Sequence, residues 1–177
     1  MALGLGNNIT LSGYSKPIVN YYNFVAFDFN ISGLSGSDYT EANTGTSTYS
    51  FDMDHNNDNS WYIYDGISSV DTAGGSYTTT KVKIQYEIQI GDEGGTDSNK
   101  FNVYLADTAS GTQTLLKAYT NADNTGGAYI TEIFELESGS FDSSNDYFVI
   151  KDNASSSSAD WDFTIKNISV NYYGTLD

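Results

Sequence analysis

Residues 80–90 read TKVKIQYEIQI. Val82, Ile84, Tyr86, Ile88 and Ile90 alternate with Lys81, Lys83, Gln85, Glu87 and Gln89. A period of two puts one set on each side of a strand, so one face is buried and the other is wet. Such strands belong to antiparallel sheets packed on one side. The same period recurs at Val25, Phe27 and Phe29, and again at Phe101, Val103 and Leu105. Short apolar or aromatic runs fill 47–53, 61–64, 115–119, 129–136, 147–150, 161–165 and 168–173. Clusters of Gly, Ser, Asn and Asp separate them, as at 33–36, 91–99, 121–127, 138–144 and 153–158. No window repeats apolar residues at the spacing of a helix face. The expectation is an all-β chain of nine or ten strands, a two-sheet antiparallel β-sandwich of jelly-roll type.

The chain has 177 residues, which suits one domain. Residues 1–18 hold Gly4, Gly6, Gly13 and Pro17, the single proline, and read as an extended N-terminal arm. Residues 19–177 read as the sandwich domain. Leu3, Leu5, Ile9, Leu11, Pro17 and Ile18 are the arm's apolar positions and the anchors it would offer a neighbouring subunit. The expected assembly is a homo-oligomer, with a trimer as the working number.

Composition excludes several functions. Lys and Arg total 7 against 23 Asp and Glu, for a net charge of −16. A nucleic acid would be repelled at long range. There is no Cys, which removes thiolate chemistry, and His55 is the lone histidine. No run approaches the length of a membrane span, and residues 1–11 have neither a basic start nor a continuous apolar stretch. The expectation is synthesis in a host cytoplasm without a signal peptide, release by lysis, and residence on a particle surface.

Three constellations bear on chemistry. Asp52, Asp54, Asn56 and Asp58 place oxygen donors at alternate positions, as in the first half of a calcium loop. The alternative is a solvated acidic loop between two strands. Glu135 and Glu137 share a strand face roughly 6–7 Å apart, a separation that glycoside hydrolysis uses; the solvent face of an acidic strand has the same pattern. Trp61, Tyr62, Tyr64 and Tyr119 sit beside Asp, Asn and other polar residues and are candidate platforms for sugar rings, as are Tyr77, Tyr129 and Trp161. The same rings would serve a core or a subunit interface. No nucleophile–base set stands out, so no catalytic residue is assigned; no cofactor is required, and calcium is the one candidate ion.

Residues 80–173 resemble a carbohydrate-binding-module jelly roll. The closing run Phe163-Thr-Ile-Lys166-Asn-Ile-Ser-Val170 is similar to the last strand of those modules, with Lys166 in place of their usual Asp. The resemblance implies a non-enzymatic module that holds polysaccharide. The opening Ala2-Leu-Gly-Leu-Gly-Asn-Asn-Ile-Thr10, with Ser15-Lys-Pro-Ile-Val19, resembles openings of structural proteins from marine tailed phages. It implies a virion component, a capsid decoration or a tail or fibre protein, whose partners are other virion proteins and host-surface glycans. The expected function is that non-enzymatic structural role; the alternative is a carbohydrate-binding module.

Overall fold

The computed structural model describes residues 16–24, 29–33, 40–43, 48–54, 61–67, 76–91, 99–141, 147–153 and 160–177. Two antiparallel sheets pack face to face as a β-sandwich. Sheet A has the order β3 (Thr40–Asn43), β4 (Thr48–Asp54), β11 (Asp160–Leu176), β6 (Tyr77–Ile90), β9 (Ile130–Glu137). β1 (Val19–Phe24) pairs with the second half of β11, while β4 pairs with its first half. Sheet B has the order β2 (Asn30–Ser32), β5 (Tyr62–Gly66), β10 (Tyr147–Asp152), β7 (Asn99–Ala106), β8 (Thr114–Thr120). The stretch 19–31 is thus divided between the two sheets, and the described chain has one more early strand, β3, than its pattern suggests.

The alternation of β6 is realised in full: Val82, Ile84, Tyr86, Ile88 and Ile90 are all 0% exposed. They meet Phe101, Val103, Leu105, Phe148 and Ile150 of sheet B in one core. Rings cross the gap between the layers, with Phe101 and Phe163 at 4.9 Å and Tyr86 and Phe148 at 5.8 Å between centroids. Burying each such side chain stabilises the fold by roughly 1.5–3 kcal/mol. Lys100 is also buried, its ammonium 3.5 Å from the Gly91 carbonyl, which ties β7 to the end of β6.

The sequence suggests separate strands at 161–165 and 168–173, but β11 runs through both. Its inward residues change phase, from Phe163 and Ile165 to Ile168, Val170 and Tyr172. The change occurs at a bulge, where the pairing with β6 shifts between Lys166 and Ser169 and Asn167 has φ +52°. Asn is among the residues that accept this left-handed conformation. Its side-chain amide donates to Glu87 at 2.9 Å.

The edge strands β8 and β9 are joined across the sandwich. Lys117 of β8 donates to Glu132 of β9 at 2.5 Å and lies 3.4 Å from Asp123. The Tyr86 and Tyr119 hydroxyls meet at 2.9 Å inside the core, and desolvation there holds both phenols protonated well above their usual range. Burial raises Asp123, but the Thr120 amide (2.8 Å) and hydroxyl (3.0 Å) donate to it, and with Lys117 they hold its carboxyl below the ordinary range. Burial lowers Lys117, but Glu132 and Asp123 outweigh this and hold its ammonium above the ordinary range.

Two outcomes follow. An Asn167→Val variant should lose about 1–2 kcal/mol in urea unfolding, because a β-branched residue resists the left-handed region, while Asn167→Gly should stay within about 0.5 kcal/mol of the parent. The Lys117–Asp123 contribution should be present in the middle of the pH range. It is lost as pH falls through the depressed Asp123 value, and lost again as pH rises through the elevated Lys117 value. Urea melts of Asp123→Asn across pH should therefore show a deficit at pH 7 that disappears in acid.

Candidate functional site

The outward face of sheet B carries a row of tyrosines. In β5, Ile63 points into the core, so Tyr62 and Tyr64 stand on the opposite face. Their rings are 5.7 Å apart between centroids. The next outward position is Gly66, which has no side chain and pairs with Tyr147 of β10. The Tyr147 ring fills that place: a Cβ on Gly66 would lie 3.7 Å from its Cε1. Tyr64 and Tyr147 are 6.1 Å apart. The three rings form a file along β5, each half-buried.

Beside this file, Val149 of β10 lies between Tyr64 and Tyr104 in register. Tyr104 receives a hydrogen bond from the Asn102 side-chain amide at 2.7 Å. Leu115 on the edge strand pairs with Tyr104 and is 53% exposed. The surface offers flat apolar rings and phenolic hydroxyls, with few charges. Such a surface can bury the apolar face of a sugar ring and hydrogen-bond its hydroxyls.

Of the rings singled out from sequence, two are corrected. Trp61 is 1% exposed and Tyr119 is 0% exposed. Trp61 is in phase with inward Ile63, and Tyr119 is in phase with inward Lys117, its hydroxyl spent on Tyr86. Neither can stack on a ligand. Tyr62 and Tyr64 lie in the file. Tyr77 begins β6, and Tyr129 is exposed but has the Lys166 ammonium 3.6 Å from its ring centroid. The side chain of Trp161 lies outside the described residues. Tyr104 and Tyr147 escaped the sequence reading; the available signal was a large aromatic ring at the outward phase of an otherwise apolar strand.

The remaining candidates separate. Glu135 stands on the outer face of sheet A, 3.6 Å from each of the ammonium groups of Lys81 and Lys83, and Glu137 pairs with Lys81 in register. Asp52 pairs with Asp162 and Asp54 with Asp160 on neighbouring strands, while Asn56 and Asp58 lie outside the described residues. Among the described residues no group of three or more His, Cys, Asp or Glu is placed to hold a metal ion. Pro17 and Ile18 are exposed, and Lys16 donates to the Leu176 carbonyl at 2.6 Å. Leu3, Leu5, Ile9 and Leu11 lie outside the described residues.

No family model and no curated protein matches the chain. Solved structures do match. A variant of a family 29 carbohydrate-binding module complexed with cellulohexaose aligns over 86% of this chain and 92% of its own, at 12% identity and TM-score 0.51. A second variant of a family 29 module aligns over 85% and 91%, at 11% identity and TM-score 0.51. A third, complexed with mannohexaose, aligns over 86% and 93%, at 12% identity and TM-score 0.50. The chain shares their β-sandwich fold.

A chain of net charge −16 repels itself. Raising NaCl from 10 to 500 mM should therefore lift the melting temperature by about 2–4 °C, equivalent to about 1 kcal/mol. Millimolar calcium at matched ionic strength separates screening from ligation by Asp52, Asp54, Asn56 and Asp58. Ligation adds a further rise that sodium does not reproduce.

Proposed function

We propose that this protein is a non-catalytic carbohydrate-binding module that holds an extended polysaccharide on the tyrosine file of sheet B. The observation that carries this is the spacing of Tyr62, Tyr64 and Tyr147, 5.7 and 6.1 Å between successive rings, in a file built from β5 and β10. Each step is close to the length of one hexopyranose residue in an extended chain. Successive sugars would each bury an apolar face on one ring, and the removal of that surface from water drives association. The phenolic hydroxyls fix orientation through sugar hydroxyls.

The shared fold supports this reading, and so does the weak charge of the file in a chain of net charge −16. The neighbours' ligands, cellulohexaose and mannohexaose, are the natural probes. The virion role rests on the opening residues, most of which lie outside the described structure. The fold similarity favours the carbohydrate reading over it. Glu135 and Glu137 lie on the opposite sheet, against Lys81 and Lys83.

Calorimetric titration with cellohexaose and mannohexaose tests the proposal. Saturable binding is expected to at least one. Tyr62→Ala, Tyr64→Ala and Tyr147→Ala should each weaken it about tenfold or more, about 1.4 kcal/mol per site, while Tyr129→Ala should leave it unchanged. Absence of binding by the parent, or equal losses from Tyr129→Ala, would refute it.

A further inference from the structure

Two residues on the outward face of sheet B are completely buried although they do not belong to the core between the sheets. Ala106 and Val149 are each 0% exposed, yet neither joins the core cluster. Their phase is outward: Ala106 follows Leu105 and Val149 stands between Phe148 and Ile150, all of which point inward. Something on the outside covers them. The tyrosines flank Val149, and the turn joining β7 to β8 accounts for Ala106.

That turn, residues 107–113, folds back onto the sheet. A Cβ built on Gly111 would come 2.9 Å from the Ala106 Cβ, so the turn's backbone rests against the Ala106 methyl. Internal bonds give the turn a defined shape: the Gly111 amide donates to the Thr108 carbonyl at 2.9 Å, and the Gln113 side-chain amide donates to the Asp107 carboxylate. A latch holds it down. Lys151 of β10 donates from its ammonium to the Ser110 carbonyl at 3.1 Å. Lys151 stands in register with Tyr62 on one side and Asn102 on the other, so the latch draws the turn from the β7 end toward the middle of the face. Tyr62 and Tyr64 of the file lie on β5, and its Tyr147 on β10 is in register with Ala106, so the turn stands beside the file.

We infer that the 107–113 turn, latched by Lys151, is a side wall along the tyrosine file and selects unbranched over side-branched neutral polysaccharide chains. This rests on the carbohydrate-binding reading and extends it to specificity. A linear chain lies on the rings and meets no obstacle. A chain bearing single-sugar branches must turn some of them toward the wall, where they collide or must displace it. Lys151 acts here as a positioning residue, through the turn rather than on the sugar.

The test compares calorimetric titrations of the full chain and of Lys151→Met, which keeps the aliphatic stem and removes the donor, with linear mannohexaose and with a galactose-branched mannan oligosaccharide of the same backbone length. The full chain should bind the linear oligosaccharide at least tenfold more tightly than the branched one. In Lys151→Met the linear affinity should stay within about threefold, the discrimination should fall to about threefold or less, and amide exchange at 108–111 should accelerate. Lys151→Arg should restore the discrimination. If the full chain binds linear and branched oligosaccharides equally, or if Lys151→Met discriminates as well as the parent, the wall is refuted while the platform stands. If neither oligosaccharide nor cellohexaose binds, the platform and the wall both fail.

Discussion

The close contact between the inward face of β6 and the inward faces of β7 and β10 governs this molecule. Val82 to Ile90 present an unbroken apolar stripe, and only a second sheet with a matching stripe can cover it. Once Phe101, Val103, Leu105, Phe148 and Ile150 are committed to that task, every alternate residue on their strands is forced outward. The tyrosine row is a consequence of this constraint. Tyr104, Tyr147 and Val149 face away from the core because their neighbours must face it.

The polar joints across the core sharpen the arrangement. The Tyr86–Tyr119 hydroxyl pair and the Lys117–Glu132 ion pair each link one sheet to the other. Their geometry is met in one register of the two layers, since a shift would part the half-buried ion pair and leave the buried hydroxyls without partners at a cost of about 1–3 kcal/mol each. The inward Glu132 and the outward Glu135 and Glu137 also put charge along the open edge of sheet A, which discourages strand addition there. Among the described residues the outer face of sheet A carries ion pairs of Lys81 and Lys83 with Glu135 and of Lys166 with Glu87. That of sheet B, by contrast, carries rings. Among the described residues the two outer faces of the sandwich are therefore chemically unlike.

Much of this was legible in the residues. β6 could be read because its apolar and polar residues never exchange phase. The sandwich followed, as did the outward candidates Tyr62 and Tyr64. Other features were hidden for physical reasons. In Trp61-Tyr62-Ile63-Tyr64 every residue is apolar or aromatic, so the sequence does not say which phase turns inward, and Trp61 was misplaced with its neighbours. Tyr119 looked available because its buried partner, Tyr86, is distant in sequence. Asn167 reverses the phase of β11 through one left-handed residue, which alternation alone reads as a strand break. The Tyr147 ring above Gly66 depends on a cross-strand register, and nothing local to either residue reports it.

The central claim is that the outward rings of sheet B receive the sugar chain. Carbon-13 NMR of the tyrosine rings, recorded while cellohexaose or mannohexaose is added, tests it most directly. The largest saturable shifts are expected at Tyr62, Tyr64 and Tyr147, smaller ones at Tyr104, and none at Tyr129 or Tyr173 on the side of the opposite sheet. Shifts confined to Tyr129 and Tyr173, or a spectrum unchanged by either oligosaccharide, would contradict it.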